Sequence, residues 1–404
     1  MEETLSSSTL TSNRPKLTSS IDWDRLRDSG IWDAIVVGAG PAGALAASLL
    51  AQRRAKVLLV DQRQFPRWKV CGACINGSAL SVLKRAGLDD WIGKLPSSPI
   101  DAFQLYNRLG GFEVSIPAGI TVARSDFDAA LVQVAIESGA DFLPGVRASL
   151  GDVAEDSRKV DLYQNDIDSV SAQARFVFSA TGLSKQFVEK LGDFRCSIAR
   201  GARLGIGAMI DREELSLSPN TIHMAVSKHG YVGIVQLQDG KWNLAAAVDR
   251  RLLMENTTPA SAVDNILTQS GIAGVNLANV QFKGTVDLTR QVTPLAANRV
   301  VLLGDSVGYI EPFTGEGIAW ALESAWQAAQ QFHPNTGQFA SDFEAFWCKT
   351  FARQVRRRQR MCRAISRTLR STTAVNAISW ALRHRPQLAN GVIDRLNRDQ
   401  TSVS

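Results

Sequence analysis

At 404 residues, with 45% apolar content and 31 glycines, the chain is long enough to bury a sizeable core and to divide into two or three substructures. Its five cysteines are odd in number and have no secretory signal ahead of them, which argues against a disulfide framework and for a reducing, cytoplasmic setting. The net charge of +6 is local, because Lys349 to Arg370 holds nine basic residues and no acid, and subtracting nine from +6 leaves −3 for the rest.

Met1 to Ser20 is rich in Ser and Thr and lacks an apolar segment, so residues 1–29 are expected to form a disordered leader rather than a signal peptide or anchor. Ala34 to Ala51 carries no charge and approaches the length of a membrane span. Its glycines and proline argue instead for a buried strand, a tight turn and a buried helix. A second strand follows at Lys56–Asp61, and INGSALSVLKRAGL supplies the next helix. Ala102–Ile116 has strand character with a hairpin signal at Leu109-Gly110-Gly111. Ser125–Ala140 is expected to be an amphipathic helix with Ser125 as its N-cap and an end near Gly139.

Short strands then run from Asp141 to Ser179, and Leu204–Asp249 alternates apolar and polar residues in several strands, with a turn at Asp239-Gly240. Arg299–Asp305 reads as a buried strand that leads through a loop to a long helix from about Gly315, and the remainder is helical and basic. The basic segment reads as a solvated helix face or as a surface for anionic lipid or an acidic carrier protein. Nucleic acid is not expected as a partner, since neither interleaved aromatics nor a known binding motif accompanies the arginines.

The first chemical motif is Gly38-Ala-Gly40-Pro41-Ala42-Gly43, which follows a strand, opens a helix and has an acid, Asp61, at the end of the next strand. Glycines there permit a tight turn, close approach of a pyrophosphate to backbone N–H groups, and close packing of helix on sheet. Asp61 is placed to accept hydrogen bonds from ribose hydroxyls. The motif specifies a dinucleotide without choosing between NAD and FAD.

The second is Val300-Val-Leu-Leu-Gly304-Asp305-Ser306, followed by Glu311-Pro312-Phe-Thr-Gly315-Glu-Gly317-Ile318. It resembles the second flavin-binding motif of FAD-dependent aromatic hydroxylases and of the geranylgeranyl reductase family. The resemblance implies FAD, with Gly304 and Asp305 at the ribityl chain and the Pro312 to Ile318 loop placing a helix N-terminus beside the N1–C2 edge of the flavin ring. Reduced flavin carries negative charge at N1, which a helix dipole and free N–H groups stabilise. Arg124-Ser-Asp-Phe127-Asp128 is similar to the family's Arg-x-x-Phe-Asp segment, which implies Arg124 as a cofactor contact; a surface arginine at a helix start is the competing reading.

Lys69 to Gly77, KVCGACING, sets Cys71 and Cys74 in a C-x-x-C spacing. A metal site lacks further ligands, and no metal is expected. A dithiol of the glutathione-reductase type needs a second nucleotide fold, for which Gly205-Ile-Gly207 is the only other candidate, and it lacks a third glycine. Phe65-Pro66-Arg67-x-Lys69-x-Cys71-Gly72 is similar to a run in geranylgeranyl reductases and related flavin monooxygenases. That similarity implies that Lys69, Cys71 and Gly72 line the flavin ring, with Cys71 a candidate active-site residue and Cys74 a small apolar residue one helical turn on.

Of the Tyr-x-Trp-x-Phe-Pro motif of geranylgeranyl reductases only Tyr231 is present, and Ala180-Thr181-Gly182 stands where aromatic hydroxylases carry Ala-Asp-Gly. Tyr231 is the candidate for orienting a substrate. His223 and His229 are acid or base candidates, with ordinary core or surface histidines as the alternative.

The resemblance implies an α/β fold: an FAD/NAD(P)-binding, Rossmann-like parallel sheet, a second, mostly antiparallel substrate-binding domain, and a helical C-terminus. The cofactor domain is expected at 30–100, 119–190 and 286–335, the substrate domain at 101–118 and 191–285, and a basic helical region at 336–404. The expected activity is that of an FAD-dependent, monooxygenase-like oxidoreductase acting on a hydrophobic or aromatic small molecule, reduced by NAD(P)H or a partner reductase. A C=C reductase of the geranylgeranyl reductase type and a non-catalytic FAD-binding accessory protein are the alternatives. Peripheral membrane contact through the basic C-terminal helix is a further expectation.

Overall fold

The computed structural model describes residues 16–391 apart from 165–167, 185–186, 188–192, 312, 314 and 333–338. Apolar runs such as Ile31–Val37 and Val57–Asp61 are buried on both faces, as strands sandwiched between helices must be. They pair in parallel, Ala34 opposite Val57 and Val37 opposite Val60. Asp168–Ser179 pairs with Ile31–Val37 on the other side, and Val300–Leu302 and Asp141–Pro144 extend the sheet outward in parallel. Helices Pro41–Gln52, Arg124–Glu137 and Gly317–Gln331 supply buried residues to the core around this sheet.

The second sheet has eight strands in the order Lys283–Asp287, Leu204–Ile210, Trp242–Val248, Gly230–Gln236, Thr221–Ser227, Ser97–Tyr106, Phe112–Val122, Cys74–Ile75. All its pairings are antiparallel except Thr221–Ser227 with Ser97–Tyr106. Its two faces have different partners, as the two-residue period of a strand requires. Val232 and Ile234 pack on helix Pro259–Gln269 through Val263 and Ile266. Tyr231, Gly233 and Val235 face the opposite way, into a cavity. The hairpin expected at Leu109-Gly110-Gly111 is present with Gly110 and Gly111 at φ +107° and +74°, and an added Cβ at Gly111 would overlap the Leu105 carbonyl oxygen.

Four expectations need correction. Residues 16–29 are not disordered: Leu17 N–H donates to the Phe65 carbonyl at 3.1 Å, Ser20 N–H to Phe142 at 3.0 Å, and Asp22 caps helix Trp23–Arg27. Burial of Ile21 and Leu26 on the parallel-sheet core holds them there. The helix expected to start after a Ser125 cap begins at Arg124 with Ala123 as an N-cap that makes no side-chain bond. A bidentate Arg124–Asp128 pair spans its first turn. Cys74 lies on a short strand opposite Thr121 rather than on a helix. The second sheet uses residues 97–122, beyond the 101–118 expected for it.

At the C-terminus, Phe343, Trp347 and Phe351 stack in series and join Phe176, Phe178 and Phe332 in the core of the parallel sheet. Helices Ala352–Leu369 and Thr372–His384 follow. No helix of the described residues is long and apolar enough to cross a membrane.

Candidate active site

Three parallel strands end at one edge, and each continues into a loop that the sequence singles out: Val37 into Gly38, Ser179 into Ala180, Leu302 into Gly304. Ligands of open α/β sheets bind at that carboxyl edge. Gly38 turns the chain at φ +103°, where an added Cβ would overlap the Ala180 carbonyl, and a Cβ on Gly43 would overlap the Gly38 carbonyl. Helix Pro41–Gln52 therefore starts hard against the sheet, with Gly40 as an N-cap that makes no side-chain bond. The position of a Cβ on Gly40 is open, the nearest atom being Arg67 Nη2 at 3.8 Å. Asp61 accepts the Ala39 N–H at 2.8 Å and the Arg63 N–H at 2.9 Å, which fixes the turn and leaves lone-pair capacity for a hydroxyl.

Arg67 and Asp128, quoted above only as members of motifs, prove to be the central ion pairs. Asp128, fully buried, accepts Arg124 Nε and Nη2 at 2.8 Å each and lies 3.4 Å from Arg67 Nη1. Arg67 in turn reaches Asp61 at 3.3 Å, and its guanidinium sits 4.7 Å from the centre of the Phe65 ring. Its buried Nε has no hydrogen-bond partner among the described residues. Burial opposes the Arg124 charge, but the Asp128 carboxylate outweighs that, so its pKa is raised. Arg124 and Asp128 are an i,i+4 pair within one helix, whereas Arg67 comes from a separate loop, and no spacing announces its contact with Asp128.

The loop from Trp68 to Gly72 lies between the cofactor edge and the second sheet. Asn243 Nδ2 donates to the Cys71 carbonyl at 2.8 Å, and a Cβ on Gly207 would come 2.9 Å from Val70, so Gly205-Ile-Gly207 is a strand that admits this loop and not a nucleotide turn. Cys71 and Cys74 are both free thiols. Burial pushes the Cys74 thiol up to about 12, and its Sγ lies 3.2 Å from the Gly72 carbonyl, so it remains a neutral, structural thiol. Lys69 and Asp305 both line the cavity: burial, with Arg124 beside it, lowers the lysine, and burial raises the carboxyl, outweighing their mutual attraction.

The two flavin-type motifs meet physically. A Cβ on Gly304, at φ +56°, would lie 3.0 Å from Ala42, and the Gly304 N–H donates to Ser324 at 2.8 Å. Ser306 Oγ lies 3.4 Å from both Thr181 Oγ1 and the Gly182 carbonyl, which ties the third loop to the second motif. A Cβ on Gly315 would lie 3.9 Å from Cys74 Cβ, and helix Gly317–Gln331 begins after Glu316 with no side-chain cap. Pro312 lies outside the described residues. Two uncapped helix N-termini thus present backbone N–H groups to one cavity, which Gly40, Pro41, Ala42, Gly315, Gly317 and Ile318 help to line.

That cavity, about 1320 Å³, is bounded by Lys69, Cys71, Gly72, Arg124 and Asp305 on the cofactor side and by Tyr231 on the sheet. Gly38, Gly43 and Asp61 shape the turn from behind and do not line it. Tyr231 packs edge-on against Phe313 at 5.3 Å, with the Arg203 guanidinium 5.7 Å from its ring. Burial, reinforced by Glu311, holds its hydroxyl well above the usual phenol range, so it stays protonated. Tyr309, which the sequence did not single out, is a second such phenol on the cavity wall, raised by burial and by Asp305. His223 is a core residue: it sits 1% exposed, with Nδ1 2.9 Å from the Tyr106 hydroxyl and Nε2 2.8 Å from the Ser218 carbonyl. Both ring nitrogens are committed, which leaves none for acid–base work in the cavity.

FAD fits these residues. The open face of Gly40 and the free N–H groups of the first helix suit a pyrophosphate, the unpartnered Arg67 Nε–H lies beside it, and the second helix N-terminus faces the same cavity. The family model described as an FAD binding domain matches residues 32–336. The menaquinone reductase of Mycobacterium tuberculosis is 27% identical over 322 residues, covering 74% of this chain and 76% of that protein. The digeranylgeranylglycerophospholipid reductase of Methanosarcina acetivorans is 25% identical over 342 residues, covering 79% and 81%. Among solved structures, a flavoprotein/dehydrogenase from Cytophaga hutchinsonii superposes with a TM-score of 0.73 at 17% identity, covering 91% of this chain and 92% of that one. Since the matched family spans most of the chain and both of its glycine loops, this protein belongs to the FAD-binding domain family and is an FAD-dependent oxidoreductase.

Proposed function

We propose that this oxidoreductase reduces a carbon–carbon double bond in a large, mostly apolar substrate, with electrons from NAD(P)H or a partner reductase. The chamber carries the reading. At about 1320 Å³ it exceeds the ~300–1,000 Å³ of a typical small-molecule pocket, leaving room for a long substrate beside the cofactor. Its walls beyond Tyr231 are apolar, from Leu105, Val114 and Met224 on the sheet to Leu369, Val375 and Leu382 on the C-terminal helices. The names of the two reductases above support the same reaction class.

FAD, when bound, supplies the hydride chemistry. The chain's own residues do the rest. Helix N-termini hold negative charge, the apolar walls exclude water, and the protonated Tyr231 hydroxyl is a hydrogen-bond donor for a polar end of the substrate. Asn243 ties the Cys71 loop to the substrate sheet, so cofactor side and substrate side share one rigid wall.

A monooxygenase-like reaction is the second reading, favoured by the aromatic side chains Phe103, Phe112 and Phe313 gathered near Tyr231. The test is anaerobic turnover of the FAD-loaded protein with an isoprenoid quinone and a polyunsaturated diether lipid as probes, using reduced nicotinamide or dithionite. Product whose isoprenoid chain has gained two hydrogens at a double bond, counted apart from any reduction of the quinone ring and absent without the protein, is the expected result. In a parallel assay to which labelled O2 is admitted, incorporation of an oxygen atom selects the second reading. No substrate-dependent reoxidation with any reductant overturns both and leaves an accessory FAD-binding protein.

A further inference from the structure

We infer that the hairpin 107–111 and the helix Thr372–His384 with the turn after it form a docking surface for an anionic lipid bilayer, placed at the mouth of the chamber. The basic helix named in the sequence reading is only part of this surface. Four large apolar side chains are left in solvent here: Leu109 at 63%, Ile378 at 44%, Trp380 at 67% and Leu388 at 60% exposed. Single exposed apolar residues need no explanation, but a group of this size on one joined unit does.

Hydrogen bonds hold the unit together. Arg383 donates to the Gly111 carbonyl through Nε at 3.0 Å and Nη2 at 2.8 Å, and to the Leu109 carbonyl at 2.9 Å. Asn107 Nδ2 donates to Ser379 at 2.7 Å. The His384 ring lies 4.7 Å from the Trp380 indole and supports it from the next turn. Leu109 and Trp380 are thus fixed in position and not simply free to fold inward.

Two further observations select a membrane. Ile378 and Leu388 are exposed and also line the chamber, so apolar side chains connect its mouth with solvent. Charge supplies the complement: from Ala345 to Gly391 the chain has no Asp or Glu, while Arg383 and Arg385 add to the nine basic residues of Lys349–Arg370, and Arg108 is exposed on the hairpin. Basic residues are attracted to an anionic leaflet, and an exposed Trp among aliphatic side chains suits the headgroup boundary. An acidic protein partner would match the charge but not the apolar tip.

The measurement is flotation of the FAD-loaded protein with vesicles of phosphatidylcholine alone or mixed with phosphatidylglycerol. The wild type should bind the anionic vesicles at least ~10-fold more tightly than the neutral ones, and added salt should weaken binding. The pairs Leu109→Ser with Trp380→Ala, and Arg108→Glu with Arg385→Glu, should each lower that binding at least ~10-fold. FAD content and thermal midpoint of each variant report folding. Wild-type indifference to anionic vesicles overturns the inference, as does unaltered binding by both folded variants. Capture by an acidic carrier protein in place of vesicles also overturns it. Binding is read without turnover, so the outcome stands apart from the reaction the chamber performs.

Discussion

Gly43→Ala is expected to fold its substrate sheet and yet lose FAD, with an affinity lowered on the order of 100-fold. The added methyl would overlap the Gly38 carbonyl oxygen and come within 3.1 Å of Ala180 Cβ, both on the turn that closes the phosphate site. Neither neighbour is a flexible side-chain end, so the turn itself must shift. Overpacking of this kind costs ~1–3 kcal/mol, and the upper figure is about two decades in Kd. Gly40→Ala separates strain from occupancy: its Cβ has only Arg67 Nη2 nearby, at 3.8 Å, so the empty protein keeps its stability while the methyl stands where a pyrophosphate approaches. Flavin fluorescence titration and a thermal melt of each variant check both statements. Wild-type affinity in both variants would contradict the placement of the phosphate.

Asp128→Asn should destabilise the protein by ~3–5 kcal/mol, the loss expected when one partner of a buried ion pair is removed. Asp128 is fully buried and holds both Arg124 and Arg67, at 2.8 Å and 3.4 Å. The variant leaves two guanidinium groups in a low-dielectric site with one carboxylate, Asp61, to share. Because Arg124 lines the cavity that fits FAD, FAD affinity should fall alongside stability. Asp24→Asn, at an exposed pair with Arg27, is the control and should change nothing measurable. Denaturant midpoints of the three proteins compare these effects, and equal midpoints would show that the Asp128 pair contributes no net stability.

The parallel sheet and its loops were legible because their signals are local. An apolar run, a glycine turn and an acid at the next strand end lie within one short stretch, and each is dictated by sterics at its own position. Gly304 and Asp305 were legible by resemblance, and the structure adds the reason for the glycine, its close approach to Ala42. What was not legible depends on partners distant in sequence. Residues 16–29 gain order from Phe65, Phe142 and the core that buries Ile21 and Leu26, which a compositional reading of a Ser-rich segment does not contain. Cys74 became a strand residue because Thr121 offers it a ladder. Tyr309 carried no motif. The C-terminal helices showed their charge in the sequence but not their place, as one wall of the chamber.

That wall gives the C-terminus two roles at once, chamber lining through Leu369, Val375 and Leu382 and an exposed face through Trp380. Helical periodicity allows this, since residues 375, 379 and 382 share one side of Thr372–His384 while residue 380 points away from it.

The central claim is that the loop from Lys69 to Cys74 faces the flavin ring in the chamber beside Gly315–Ile318. A crystal structure of the FAD-loaded protein tests it through one distance, from Cys71 Sγ to the nearest atom of the isoalloxazine ring. The ring is expected within ~5 Å, close to direct contact. A separation beyond about 10 Å would remove Cys71, and the loop that carries it, from the active site.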